Sequence, residues 1–86
     1  MIVTKVLIYS TRFCPYCRLA EQLLKLKGIQ AEKVMVDEDP ARREEMTRRA
    51  GRTSVPQIFI GNTHVGGYME LVGLERTGKL DAMLSP

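Results

Sequence analysis

Cysteine and histidine are scarce in this sequence, which has two cysteines and one histidine among its 86 residues. Two cysteines three positions apart cannot build the multi-bridge framework of a small secreted domain. They also supply only half of a four-ligand zinc site, and His64 alone does not complete it, so no metal is expected. His64 is read instead as an ordinary hairpin residue. Long apolar runs are missing as well. None approaches the roughly 20 residues that a membrane-spanning helix requires. The opening segment MIVTKVLIYS has one lysine, a short apolar run and no small-residue cleavage pattern, unlike a signal peptide. The cytoplasm is therefore the expected compartment, with no membrane partner. Nor is charge of one sign concentrated. A formal charge of +3 slightly favours anionic small molecules and is too weak to argue for nucleic acid. The basic stretch from Arg42 to Arg52 contains Glu44 and Glu45 and no aromatic residue for base stacking, so it reads as a solvated helix face.

What is present has the composition of a globular protein, with 44% hydrophobic and 27% charged residues. A single domain over residues 1–86 is expected. Val3 to Tyr9, rich in β-branched and aromatic residues, predicts a buried strand. The pattern breaks at Ser10-Thr11-Arg12-Phe13-Cys14-Pro15, where Pro15 suits the first position of a helix because its missing N–H has no partner to lose there. Leu19, Ala20, Leu23, Leu24 and Leu26 predict a wide buried face on that helix, and Gly28 a stop. Ala31 to Val36 predicts a second strand. Pro40 opens a second helix, with Asp37, Glu38 and Asp39 at its positive end, and Gly51 closes it after Ala50. Gln57 to Ile60 and Thr63 to Val65 form a hairpin across Gly61-Asn62. A third helix starts near Tyr68, after Gly66-Gly67, and Gly73 and Gly78 suggest that it is interrupted.

The order is β-α-β-α-β-β-α. A helical crossover makes the first two strands parallel, and the hairpin makes the last two antiparallel. The fold class is α/β: a mixed four-stranded sheet flanked by three helices. A strand–CxxC–helix junction within it points to a thioredoxin-like redox domain.

Cys14-Pro15-Tyr16-Cys17 is the strongest chemical signal. With Cys14 as the helix N-cap, its sulfur faces unpaired N–H groups at the positive helix end. These favour the thiolate over the thiol, whose pKa is about 8.5 in a free cysteine. Arg12 and Arg18 flank the site and add to the same field. Cys17, one turn on and deeper in the helix, is placed to resolve a mixed disulfide formed at Cys14. Hence Cys14 is the expected attacking thiol and Cys17 the resolving one. Filling of core space by both cysteines is the plainer alternative, and the polar lead-in Ser10-Thr11-Arg12 argues against it.

Three segments together make the chain resemble a bacterial dithiol glutaredoxin: Cys14-Pro15-Tyr16-Cys17, Thr53-Ser54-Val55-Pro56-Gln57-Ile58-Phe59-Ile60, and Gly66-Gly67 with Glu70-Leu71. The resemblance implies a glutathione-dependent oxidoreductase that reduces protein disulfides and glutathione mixed disulfides. It implies a cis Pro56 facing the CxxC segment, with the Val55 backbone pairing to glutathione as to an added strand. Gly67, Tyr68, Met69 and Glu70 would receive the γ-glutamyl end at a helix N-terminus. Arg12 and Gln57 would meet the glycine carboxylate, and Tyr16 and Ser54 would complete the glutathione-binding set. Relatives often carry lysine at the position of Thr11, and Ser, Thr or Asp at that of Met69. Implied partners are glutathione and disulfide-containing or glutathionylated proteins, with ribonucleotide reductase among the family's targets, and a monomer is expected. Two rival roles are a glutathione-ligated [2Fe–2S] carrier, disfavoured by Pro15, and a glutaredoxin-like protein reduced by thioredoxin reductase.

Overall fold

The computed structural model describes residues 5–85. Val3 and Thr4, the first residues of the expected opening strand, lie outside them. The elements run β1 Val6–Ser10, α1 Pro15–Leu26, β2 Glu32–Met35, α2 Pro40–Ala50, β3 Gln57–Ile60, β4 Thr63–Gly66, α3 Tyr68–Arg76 and α4 Lys79–Leu84. The sheet order is β2-β1-β3-β4. β1 is parallel to β2 and antiparallel to β3, and β3 is antiparallel to β4. This is the mixed four-stranded arrangement that the element order implies.

Side chains alternate across β1 and β3 and so divide the core in two. Val6, Ile8, Ile58 and Ile60 pack with Ala20 and Leu24 of α1, Leu71 of α3, and Leu80 and Leu84 of α4. Tyr9 and Phe59 point to the other face, with Val34, Val36 and Met46 of α2. Thus α1, α3 and α4 cover one face and α2 the other.

Helix starts and stops follow local chemistry. Pro15 and Pro40 each occupy the first turn behind an extended cap residue. Gly28 and Gly51 take positive φ after α1 and α2, where a side chain would be strained. The expected third helix is divided by Gly78, at φ 78°, whereas Gly73 lies inside α3 without breaking it.

Two expectations need correction. The buried stripe of α1 is Cys17, Ala20 and Leu24, while Leu19 is 41% and Leu26 84% exposed. Two positions beyond Leu24 lie about 200° further round a helix, which turns Leu26 to solvent. The Arg42–Arg52 stretch is also less solvated than expected. Arg49 donates to the Tyr9 hydroxyl at 2.9 Å and lies 4.1 Å from the Phe59 ring centre. Arg42 bonds Glu45 at 2.9 Å, and Glu45 in turn accepts from the Tyr9 hydroxyl. That bond holds the Glu45 carboxyl below its usual range, while burial, then the bond to Glu45, raises the Tyr9 phenol.

Candidate active site

The chain leaves β1 at Ser10, crosses the top of the sheet and enters α1 at Pro15. Cys14 is the N-cap, with extended backbone (φ −137°, ψ 98°), and its sulfur accepts the Cys17 N–H at 3.1 Å. Cys14 and Cys17 are joined in a disulfide with Cα atoms 5.2 Å apart, inside the usual span of such bonds. Cys17 is 1% exposed and Cys14 7%. Cys14 is thus less open than its position between polar residues implied, because its sulfur is turned onto Cys17. Phe13 and Tyr16 on either side are 84% and 58% exposed, which leaves an apolar rim around the pair.

The basic flank is arranged differently from the expectation. Arg12 turns to the acidic segment before α2: its guanidinium lies 3.4 Å from Glu38 and 3.9 Å from Asp37, and its N–H bonds Asp37 at 3.0 Å. It does not line the groove described next. The run Asp37-Glu38-Asp39, placed on the helix dipole by sequence reasoning, competes successfully for it.

Beside the α1 tip lies an open groove of about 200 Å³, bounded by Tyr16, Ser54, Val55, Pro56, Gln57, Gly67, Tyr68, Met69, Glu70 and Arg52. The Val55–Pro56 peptide bond is cis. Nine of these ten residues are the glutathione-facing residues implied by the resemblance, Arg12 being the one left out. Tyr16 and Tyr68 bring their rings to 6.0 Å across one end. A larger concavity, about 530 Å³, opens by Ile8, Glu21, Lys25 and Lys33. It holds no thiol, so size does not choose the site here.

Gly66 and Gly67 let the start of α3 close against the groove. A Cβ on Gly66 would meet the Glu70 carboxylate at 3.0 Å, at a φ of +115° that side chains rarely adopt. A Cβ on Gly67 would stand 3.3 Å from that carboxylate and 3.5 Å from the Pro56 carbonyl oxygen. The Gly67 N–H donates to Glu70 Oε1 at 2.7 Å, the reach-back half of a capping box; a glycine has no side chain for the other half. This bond above all keeps the Glu70 carboxyl below its usual range, and Arg52 adds to the effect. One helix-tip donor is therefore already used by the protein. The first main-chain bond of α3, Leu71 N–H to the Gly67 carbonyl, leaves the Tyr68 and Met69 amides ahead of it.

Two positions differ in role from the sequence reading. Gln57 lines the groove but is fully buried, and its amide is already bonded: Nε2 to the Ser54 carbonyl at 3.0 Å, Oε1 to His64 Nε2 at 2.7 Å. Its side chain positions the protein's own loop instead of offering a free donor for a carboxylate. Arg52, which sequence reasoning left in the solvated stretch, stands on the groove wall 3.7 Å from Glu70. The signal that pointed to it was its place two residues before Ser54. Among the described residues, no group of three or more His, Cys, Asp and Glu side chains is gathered as a metal would need.

Comparison with known proteins agrees with this architecture. The family model described as glutaredoxin matches residues 6–65. A glutaredoxin of Pseudomonas aeruginosa is 55% identical over 80 residues, 93% of this chain and 95% of that protein. Glutaredoxin 3 of Escherichia coli is 45% identical over 82 residues, 95% of this chain and 99% of that one. Among solved structures, a Brucella melitensis glutaredoxin superimposes with a TM-score of 0.85 at 44% identity, covering 96% of this chain and 90% of that one. A buckwheat glutaredoxin, solved as a complex with glutathione, gives a TM-score of 0.86 at 27% identity, over 94% of this chain and 76% of that one. With a similarity that runs nearly end to end and takes in the cysteine pair, this chain belongs to the glutaredoxin family of thiol–disulfide oxidoreductases.

Proposed function

We propose that this oxidoreductase takes its electrons from glutathione and acts on glutathione mixed disulfides and on protein disulfides. The observation that carries this reading is the groove. Val55 offers main-chain groups without main-chain partners among the described residues, the α3 tip offers amides for a carboxylate, and both open beside the helix that Cys14 caps. A γ-linked tripeptide with a carboxylate at each end matches that layout. Arg52 supplies positive charge on the groove wall, the role first expected of Arg12.

The chemistry follows from the cap. In the reduced protein the Cys14 thiolate is held by the Cys17 N–H that its sulfur already accepts. It attacks the glutathione sulfur of a mixed disulfide. The Cys14–glutathione bond forms, the target's sulfur leaves as a thiolate, and that thiolate takes up a proton. A second glutathione thiolate then attacks the bound glutathione sulfur, releasing oxidised glutathione and regenerating the Cys14 thiolate. With a protein disulfide, Cys14 first joins the target. The Cys17 thiolate then displaces the target and leaves the Cys14–Cys17 disulfide, which two glutathiones reduce. Family potentials of roughly −200 to −230 mV, near the glutathione pool, allow either direction. Action as a monomer in the cytosol belongs to the same proposal, supported by the use of the only two cysteines as a redox pair.

The test is a comparison of one peptide carrying either a glutathionyl or a cysteinyl disulfide. Recognition of glutathione predicts a kcat/KM for the glutathionyl form higher by about tenfold or more, one or two additional hydrogen bonds' worth. Equal values would contradict it. Cys17→Ser is expected to retain deglutathionylation and Cys14→Ser to lose it.

A further inference from the structure

The segment that forms one groove wall has little main-chain support. Among the described residues, no main-chain to main-chain hydrogen bond reaches residues 53–55. Side chains tether them: Arg43 Nη1 donates to the Thr53 carbonyl at 3.2 Å, and Gln57 Nε2 donates to the Ser54 carbonyl at 3.0 Å and to Ser54 Oγ at 3.3 Å.

Donor and acceptor chemistry fixes the rest of this chain. A carbonyl oxygen only accepts, so the Gln57 atom facing Ser54 is its NH₂. Its Oε1 is then the atom 2.7 Å from His64 Nε2, and that nitrogen must carry the proton. The His64 ring is seated on Phe59, with ring centres 4.9 Å apart, which limits its freedom to swing away. Burial first, then Arg52 and Arg49, favours the neutral ring, and Glu70 opposes them. Without the His64 donor, the fully buried Gln57 amide would keep an unpaired oxygen or turn over and release Ser54.

We propose that His64 is a positioning residue for the glutathione-binding wall: through Gln57 it sets the orientation of the Ser54–Val55 backbone that an extended ligand must pair with. The proposal rests on the glutathione reading above. His64 touches neither cysteine in this account, so its effect falls on ligand binding.

The test uses the whole chain. In the wild type, ¹⁵N spectra of the His64 ring are expected to show the Nε2–H tautomer; the Nδ1–H tautomer would overturn the proposal without any substitution. His64→Phe keeps a ring on Phe59 and removes the donor. It should speed hydrogen exchange of the buried Gln57 side-chain NH₂ that holds Ser54 and raise KM for a glutathionylated peptide by roughly five- to tenfold, the equivalent of about one hydrogen bond. Its kcat, and its reaction with a chromogenic aromatic disulfide that lacks glutathione, should stay within about twofold of wild type. In a Gln57→Ala background His64→Phe should add no further effect, because the two act in series. His64→Gln, which retains an N–H donor, should recover part of the loss. An unchanged KM and unchanged exchange of the Gln57 side-chain NH₂ in a folded His64→Phe protein would overturn the proposal, and so would equal losses with the glutathione-free disulfide. A wild type without preference for glutathionyl peptides would instead contradict the glutathione reading, while the tautomer and the Gln57 side-chain exchange would still report on the wall.

Discussion

Helices α1 and α2 start with the same local design, an extended cap residue followed by proline. Cys14 has φ −137° and ψ 98°, Asp39 φ −144° and ψ 96°. Each cap atom accepts main-chain N–H groups: the sulfur that of Cys17, the carboxylate those of Ala41 and Arg42. The field at the two tips is of one kind, and the difference lies in what it stabilises. At α2 it holds an exposed carboxylate that has no reaction to perform. At α1 it holds a sulfur whose ionised form is the nucleophile of the proposed mechanism, above a buried partner cysteine and beside a ligand-sized groove. A generic stabilising device becomes catalytic when the capped atom is a thiol in the right place. The start of α3 is a third version, in which Gly67 has no side chain and Glu70 supplies the anion from inside the helix.

This comparison can be broken from either side. The largest effect is expected for Cys14→Ser, which should lower disulfide reduction on the order of 10³-fold or more, since a serine hydroxyl cannot exchange with a disulfide. Asp39→Ala should leave reduction within about twofold of wild type and cost about 1 kcal/mol of stability, as loss of a cap does. A thermal melt should register that as a fall of roughly 4–8 °C. Cys14→Asp separates the two roles further: it should melt above Cys14→Ala and be as inactive as Cys14→Ser. A melt equal to that of Cys14→Ala would show that the α1 tip does not favour an anion.

Acid should weaken the third version. The Glu70 and Glu45 carboxyls are both lowered in the fold, so their contributions are present above the ordinary carboxylate value of 4.5 and vanish as pH falls through their folded values. His64 is also lowered from 6.5, so the fold prefers its neutral form, and its contribution is present above that pH and lost on acidification. The melting temperature should accordingly decline below about pH 6.5, with a second decline in the carboxylate range, and Glu70→Gln should flatten the latter. The smallest effect is expected at Ser10, where the chain turns from β1 towards α1. Its hydroxyl is buried without a partner. Ser10→Ala should be neutral or stabilising by up to about 1 kcal/mol, as read from denaturant midpoints.

Much of the fold was legible because its signals are local. Pro15 and Pro40 can begin helices but not continue them, Gly28 and Gly51 can take positive φ, and Gly61-Asn62 suits a tight turn. The dithiol tip was legible for the same reason, since Cys14, Pro15 and Cys17 act within one helical turn. Misreadings arose where a side chain chooses among distant partners. Arg12 goes to Asp37 and Glu38, 25 and 26 positions away, and not to the groove. Gln57 faces His64 across the β3–β4 hairpin, a pairing that exists only once the strands are in register. Leu26 passed for core because apolar character was counted without the angle around the helix. Arg52 was missed because its charge was averaged into a basic run, although its carboxylate partner, Glu70, is 18 positions away.

The central claim is that the helix tip keeps the Cys14 sulfur ionised. It is tested most directly by the pH dependence of alkylation of Cys14 by iodoacetamide in reduced Cys17→Ser protein, folded and in denaturant. The account predicts a midpoint for the folded protein at least one pH unit, about 1.4 kcal/mol, below that of the unfolded chain. A folded midpoint equal to or above the unfolded one would contradict it.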